Sequence, residues 1–130
     1  MKLQTGIDII ELDRIASAFE RWGQRFLSRI YTEHEISFSR GRIPQLAGRF
    51  AAKEAMMKAL GTGRYGVSWR EIGVERERGQ APRIVLTGRA LARSLSMNLG
   101  QISISISHSR DYAVAIVVCA SYEYSNESRN

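Results

Sequence analysis

Gln101-Ile102-Ser103-Ile104-Ser105-Ile106-Ser107-His108-Ser109-Arg110-Asp111-Tyr112-Ala113-Val114-Ala115-Ile116-Val117-Val118-Cys119 is the stretch that decides the fold class. Isoleucine and serine alternate over 102–107, the period of a strand with one apolar face. Residues 108–111 read as a turn, and 113–119 are apolar at every position. Two strands joined by so short a turn pair antiparallel. The second strand is apolar on both faces, so both need cover. In a chain this short, one face is covered by its own helices. The other is covered by another subunit or, alternatively, from within the chain.

The rest of the chain is read outward from that hairpin. Residues 3–10 form a strand with Ile7 and Ile9 on one face and Gly6, Asp8 and Ile10 on the other. Asp13 is placed to cap a helix over 13–30, where Ile15, Phe19, Trp22, Phe26 and Ile30 recur at helical spacing. Thr32 and Glu35 make a capping box for a short helix that Gly41 stops. Pro44 suits the first turn of a third helix, which runs to Leu60 and ends at Gly61. Strands follow at 71–77 and 83–86 about the turn Gly79-Gln80-Ala81-Pro82, then a helix over 88–97. Strands joined by short turns and interleaved with helices give an α+β class. The expected architecture is a small antiparallel sheet packed on a long central helix, with further helices around it.

The 130 residues carry 19 basic and 13 acidic side chains, a net charge of +6. Length and composition fit one domain over 1–120, followed by a polar tail at 121–130. No apolar run approaches the roughly 18 residues of a membrane span, so no membrane insertion is expected. No signal peptide is expected in residues 1–10, and the single cysteine, Cys119, cannot form an internal disulfide. Both point to a reducing cytoplasm. A basic surface calls for an anionic partner, whether nucleic acid, acidic lipid, acidic protein or a polyphosphate ligand.

Asp8 lies in a strand with no other charge, where aspartate is costly to bury unpaired. It faces water on an edge strand or serves a site. Glu54 falls about 40° round the third helix from Phe50, inside the sector of Leu46, Met57 and Ala47. A carboxylate there needs an internal salt bridge or a cation. Lys58 follows one turn later, either as an i, i+4 partner of Glu54 or as a cation facing the same site. Asp8 and Glu54 together could hold Mg²⁺, which takes one or two carboxylates and fills its shell with water and phosphate oxygens. No cluster has zinc spacing. His108, where a strand meets a turn, and Cys119, in an apolar strand, both read as structural from the residues alone. Arg14, Arg21, Arg25 and Arg29 make one basic stripe along the first long helix, either a solvated face or a dock for an acidic partner.

Three segments together resemble one family. They are Gly6-Ile7-Asp8-Ile9-Ile10-Glu11-Leu12-Asp13-Arg14-Ile15, then Arg49-Phe50-Ala51-Ala52-Lys53-Glu54-Ala55 with Lys58-Ala59-Leu60-Gly61-Thr62-Gly63, and Ser105-Ile106-Ser107-His108-Ser109 with Tyr112-Ala113. The chain resembles the small-type 4′-phosphopantetheinyl transferases, the holo-[acyl-carrier-protein] synthases, over about residues 3–119. The resemblance implies transfer of the 4′-phosphopantetheine arm of coenzyme A to a serine of an apo acyl carrier protein, releasing adenosine 3′,5′-bisphosphate. It implies a homotrimer with active sites at its subunit interfaces. By the same resemblance Asp8 and Glu54 are the Mg²⁺-binding acids, and Lys58 lies against the coenzyme A phosphates. Gly61-Thr62-Gly63 is the turn beside those phosphates. His108 lies near the nucleotide end and Arg49 near the 3′-phosphate. Arg14 and the stripe behind it, with Arg21 and Arg25, dock the acidic carrier. The turn before Pro82 departs from the family, which often has Gly-x-Pro near the adenine. Here Gly79 stands one place earlier, which puts the adenine contacts and the hairpin register in question.

The alternative is a basic nucleic-acid-binding module. It is disfavoured because neither strand of the 101–119 hairpin carries an exposed aromatic platform.

Overall fold

The structure, a computed structural model, describes residues 1–122, with the side chains of residues 64 and 65 left aside. The chain begins with strand β1 (Lys2–Glu11), followed by helices α1 (Leu12–Trp22), α2 (Gln24–Ile30), α3 (Glu33–Ser39) and α4 (Ile43–Leu60). A single helical turn, α5 (Gly63–Gly66), and a 3₁₀ turn (Trp69–Glu71) lead into β2 (Ile72–Glu75) and β3 (Arg83–Leu86). Helix α6 (Gly88–Ser96), β4 (Leu99–His108) and β5 (Tyr112–Ser121) complete the chain.

The main sheet is antiparallel in the order β1-β5-β4, and β2 and β3 form a separate two-stranded ribbon. The antiparallel 101–119 hairpin holds, with Ile106 paired to Ala115; His108, read as part of the turn, is instead the last residue of β4 and pairs with Ala113. On β5, Ala113, Ala115, Val117 and Cys119 are buried and face the core. Helix α4 lies across this inner face. Its alanines at 51, 52, 55 and 59 are buried and let the sheet come close. The closest approach is at Gly6 of β1, where a Cβ would stand 1.8 Å from the Ala55 carbonyl oxygen. The outer face is open. Ile7, which pairs with Ile116, is 58% exposed, Ile9 62% and Ile116 43%.

Most local signals are realised. Thr32 and Glu35 form the capping box, with Thr32 N donating to Glu35 Oε1 at 2.8 Å and Glu35 N to Thr32 Oγ1 at 3.2 Å. Pro44 sits in the first turn of α4 and Gly61 ends it at φ 72°. Three other expectations need correction. The helix read over 13–30 is two helices, because Gly23 turns at φ 54°, ψ −128° and starts a new one. The residue before α1 is Glu11 and makes no side-chain cap; Asp13 lies in the first turn. The strand read over 71–77 is only Ile72–Glu75, because residues 69–71 are taken by a 3₁₀ turn capped by Ser68 and Glu71. Strand β5 runs through Ser121, which pairs with Lys2. The rest of the expected tail, 123–130, lies outside the described residues.

Candidate functional site

Asp8 projects from the face of β1 that packs on α4, between buried Gly6 and Ile10. Lys58 reaches across from α4. Its Nζ donates to the Ile7 carbonyl at 2.8 Å and to Asp8 Oδ1 at 3.2 Å. The Lys58 side chain stays 54% exposed and Asp8 18%, so solvent reaches the pair. Lys58 thus meets Asp8, an acid fifty residues away on β1. Glu54 sits one turn before Lys58 on α4 and is half-buried.

The fully buried charge of this helix is the residue before Glu54. Lys53 is 0% exposed and paired at 2.7 Å with Glu35, also 0% exposed. No local pattern marks this pair, whose members lie on different helices. Among the described residues, no group of three or more His, Cys, Asp or Glu gathers. Asp8 on β1 and Glu54 on the helix that packs against it, neither of them fully buried, are a sparse, hard-oxygen donor set. That suits Mg²⁺, which leaves most of its shell to water and phosphate. The residues therefore fit the ion that the sequence suggested.

Gly61-Thr62-Gly63 follows one turn after Lys58. The Gly61 amide closes on the Lys58 carbonyl at 3.1 Å and the Thr62 amide on Met57 at 3.4 Å. Both amides are spent on ending the helix, and Gly63, at φ 57°, leaves open space where a Cβ would stand. The turn thus leaves room after Lys58.

A second cluster lies near the other end of α4. A pocket of about 390 Å³ is walled by Arg49, Arg76, Pro82, Ile104, Ser105 and His108, among others. Three residues named from sequence, Arg49, Pro82 and His108, thus meet around one space. Pro82 reaches it despite the shifted glycine. Arg76 Nε donates to the Gln80 carbonyl at 2.9 Å and shapes the turn so that Ala81 and Pro82 face inward.

Arg49 is 3% exposed. Its Nη1 donates to Gln45 Oε1 at 2.9 Å and its guanidinium lies 4.5 Å from the Phe38 ring centroid. Its Nε is buried without a partner among the described residues. Burial pushes the Arg49 pKa down, Glu35 opposes this, and Arg76 and Arg42 push it further down. A buried guanidinium with a spare donor and cationic neighbours favours an anion. Arg76 was missed in the sequence because Glu75-Arg76-Glu77-Arg78 reads as a solvated run.

The four arginines of the stripe are all exposed. The turn at Gly23 re-aims the last two. Arg25 and Arg29 line a groove of about 580 Å³ whose walls include Trp22, Phe26, Phe50 and Trp69. Arg21 and Arg25 lie 5.0 and 5.9 Å from the Trp22 ring, and Phe50 stacks on Trp69 at 4.9 Å. The basic stripe therefore borders an apolar floor, which periodicity alone did not reveal.

Arg49 and Lys58 are nine residues apart on α4, about 14 Å along its axis and about 180° around it. One chain thus presents its two clusters on opposite faces of one helix.

The model of the 4′-phosphopantetheinyl transferase superfamily matches residues 4–117. The holo-[acyl-carrier-protein] synthase of Dehalococcoides mccartyi is 48% identical over 116 residues, 89% of this chain and 97% of that protein. That of Koribacter versatilis is 46% identical over 91% of this chain and 98% of its own length. Among solved structures, Helicobacter pylori holo-[acyl-carrier-protein] synthase in complex with coenzyme A superposes with a TM-score of 0.81. It is 33% identical, and the match covers 89% of this chain and 99% of that one.

Proposed function

The chain belongs to the 4′-phosphopantetheinyl transferase superfamily, and we propose from that premise that it is a holo-[acyl-carrier-protein] synthase. It transfers the 4′-phosphopantetheine of coenzyme A to a serine of an apo acyl carrier protein and releases adenosine 3′,5′-bisphosphate. The observation that carries this reading is the agreement of whole-length relatives with two clusters: a carboxylate–lysine pair and a cationic pocket holding a buried arginine nitrogen without a partner among the described residues. The nucleic-acid reading gains no support from any relative.

The serine oxygen forms a bond to the pantetheine-side phosphorus, and the bond from that phosphorus to the bridging oxygen breaks. Negative charge grows on the phosphoryl oxygens and on the leaving bisphosphate. Lys58, half-exposed and free to turn from Asp8 to a phosphate, meets that charge. Asp8 and Glu54 would hold Mg²⁺, which supplies further charge neutralisation when bound. Glu54 or a water takes the serine proton. Arg49 and His108 hold the 3′-phosphate end, with Pro82 against the adenine. Arg14, Arg21 and Arg25 receive the acidic carrier, one of fatty-acid or polyketide synthesis.

The same reading makes the protein a homotrimer with shared sites, and places it in the cytoplasm. Two features support the assembly. The outer sheet face exposes Leu3, Ile7, Ile9 and Ile116, an apolar area that another copy would cover. The clusters at Arg49 and Lys58 also face opposite ways, so a neighbouring copy is needed to bring one of each to the same coenzyme A.

The test is the mass of an apo carrier protein incubated with coenzyme A, Mg²⁺ and the enzyme. One phosphopantetheine is gained per carrier, and chelation with EDTA abolishes the gain until Mg²⁺ is returned. An unmodified carrier would reject the transferase reading, and full activity in EDTA would reject the metal.

A further inference from the structure

The β2–β3 ribbon carries Arg76, Ala81 and Pro82 to one wall of the cationic pocket, yet it does not belong to the main sheet. A two-stranded ribbon is marginal by itself, so something else must hold that wall. The buried pair Glu35–Lys53 does so. Lys53 Nζ donates to the Ile72 carbonyl at 2.6 Å and to the Trp69 carbonyl at 3.1 Å, besides meeting Glu35 Oε1 at 2.7 Å. All three ammonium protons are thereby used. Glu35 Oε2 accepts from the Val74 amide at 2.5 Å, and Oε1 accepts from the Thr32 amide at 2.8 Å. One ion pair thus ties α3, α4, the 3₁₀ turn and β2 together.

Both walls of the pocket depend on these anchors. Arg49 stands one turn before Lys53 on α4. Phe38, which packs on the Arg49 guanidinium, stands one turn after Glu35 on α3. The Val74 amide held by Glu35 lies two residues before Arg76. A buried ion pair is poor evidence for added stability, since apolar residues of equal volume often serve as well. The bonds it makes to four elements suit it instead to fixing position.

We propose that Glu35 and Lys53 are positioning residues for the nucleotide end of coenzyme A, acting through the β2–β3 ribbon and Phe38 rather than by contact. The proposal rests on the functional reading above. The test uses Glu35→Gln/Lys53→Met, which removes both charges together and leaves no uncompensated one. Adenosine 3′,5′-bisphosphate binding is measured by calorimetry, and the KM for each substrate by initial rates. The bisphosphate Kd and the coenzyme A KM rise about tenfold or more, while the carrier KM stays near wild type. A variant with lowered melting temperature and unchanged bisphosphate Kd would overturn the proposal and leave the pair merely structural.

Should that variant fail to fold, hydrogen exchange on the wild type decides. Adenosine 3′,5′-bisphosphate slows exchange at Val74 to Arg76 together with Ser105 to His108. Protection at Ser105 to His108 without protection at Val74 to Arg76 would overturn the proposal. A wild type that binds no bisphosphate would overturn the functional reading and the proposal with it.

Discussion

Gly6→Ala tests the join between β1 and α4, on which the placement of Asp8 depends. The new Cβ would lie 1.8 Å from the Ala55 carbonyl oxygen and 3.1 Å from the Ala59 nitrogen. Both are helix backbone, which cannot rotate away. Ordinary contact begins near 3.4 Å, so strand and helix must part by about 1.6 Å. Strand β1 is paired with β5 from Lys2 to Glu11, so it cannot yield at one residue alone. A movement of that size shifts Asp8 relative to α4 and forces Lys58, now 2.8 and 3.2 Å from Ile7 and Asp8, to a new position. Overpacking of this kind costs about 1–3 kcal/mol, which lowers the melting temperature by roughly 3–15 °C in a chain of this size. A misplacement of about 1 Å in reacting groups costs about 100-fold in turnover. Thermal denaturation and initial rates read both effects. A Gly6→Ala enzyme with wild-type melting and turnover would refute the close approach and the Asp8–Lys58 geometry built on it.

Three further outcomes are expected. Lys58→Met lowers kcat by about 100-fold, the scale of losing one charge-stabilising donor, and leaves the carrier KM little changed; initial rates against each substrate check it. Arg14→Glu with Arg21→Glu raises the carrier KM roughly 3–30-fold, as a few exposed pairs of 0–1 kcal/mol allow. The coenzyme A KM holds, and the wild-type carrier KM climbs with salt more steeply than the mutant's. Burial pushes the Glu71 carboxyl up, but hydrogen bonds from the Ser68 and Arg89 amides outweigh it and hold the pKa below the usual carboxylate range. A depressed folded pKa adds stability above the unfolded value, and that stability is lost as pH falls through the folded one. Melting curves of wild type and Glu71→Gln should therefore differ at neutral pH and converge in acid.

The elements that could be read from sequence are those with local causes. The Ile/Ser alternation sets the period of β4, Thr32 and Glu35 cap α3 within four residues, and Pro44 and Gly61 bracket α4. Gly23 was passed over because the apolar spacing continues across it and only its φ of 54° reveals the break. The wheel that singled out Glu54 could not single out Lys53, because α4 is buried nearly all round and offers no polar side for contrast. Glu35 and Lys53 lie on different helices and leave no periodic trace. Asp8 was visible as a lone charge in an apolar strand, yet its partner lies fifty residues away. The pocket around Arg49 is assembled from α4, β4 and the β2–β3 ribbon. Its Arg49, Pro82 and His108 were named through family resemblance, whereas Arg76 was not.

The shared site is tested most directly by mixing two damaged subunits. Asp8→Ala disables the carboxylate–lysine pair and Arg49→Ala the cationic pocket, and each variant alone is nearly inactive when coenzyme A is scarce. Under the proposed assembly, co-refolding the two chains in equal amounts forms sites in which an intact pair from one copy faces an intact pocket from the next. Random assembly makes about one quarter of all sites whole, so phosphopantetheine transfer to the carrier should return to about that fraction of the wild-type rate. A mixture no more active than its two components would contradict a site built from opposite faces of α4 in neighbouring copies.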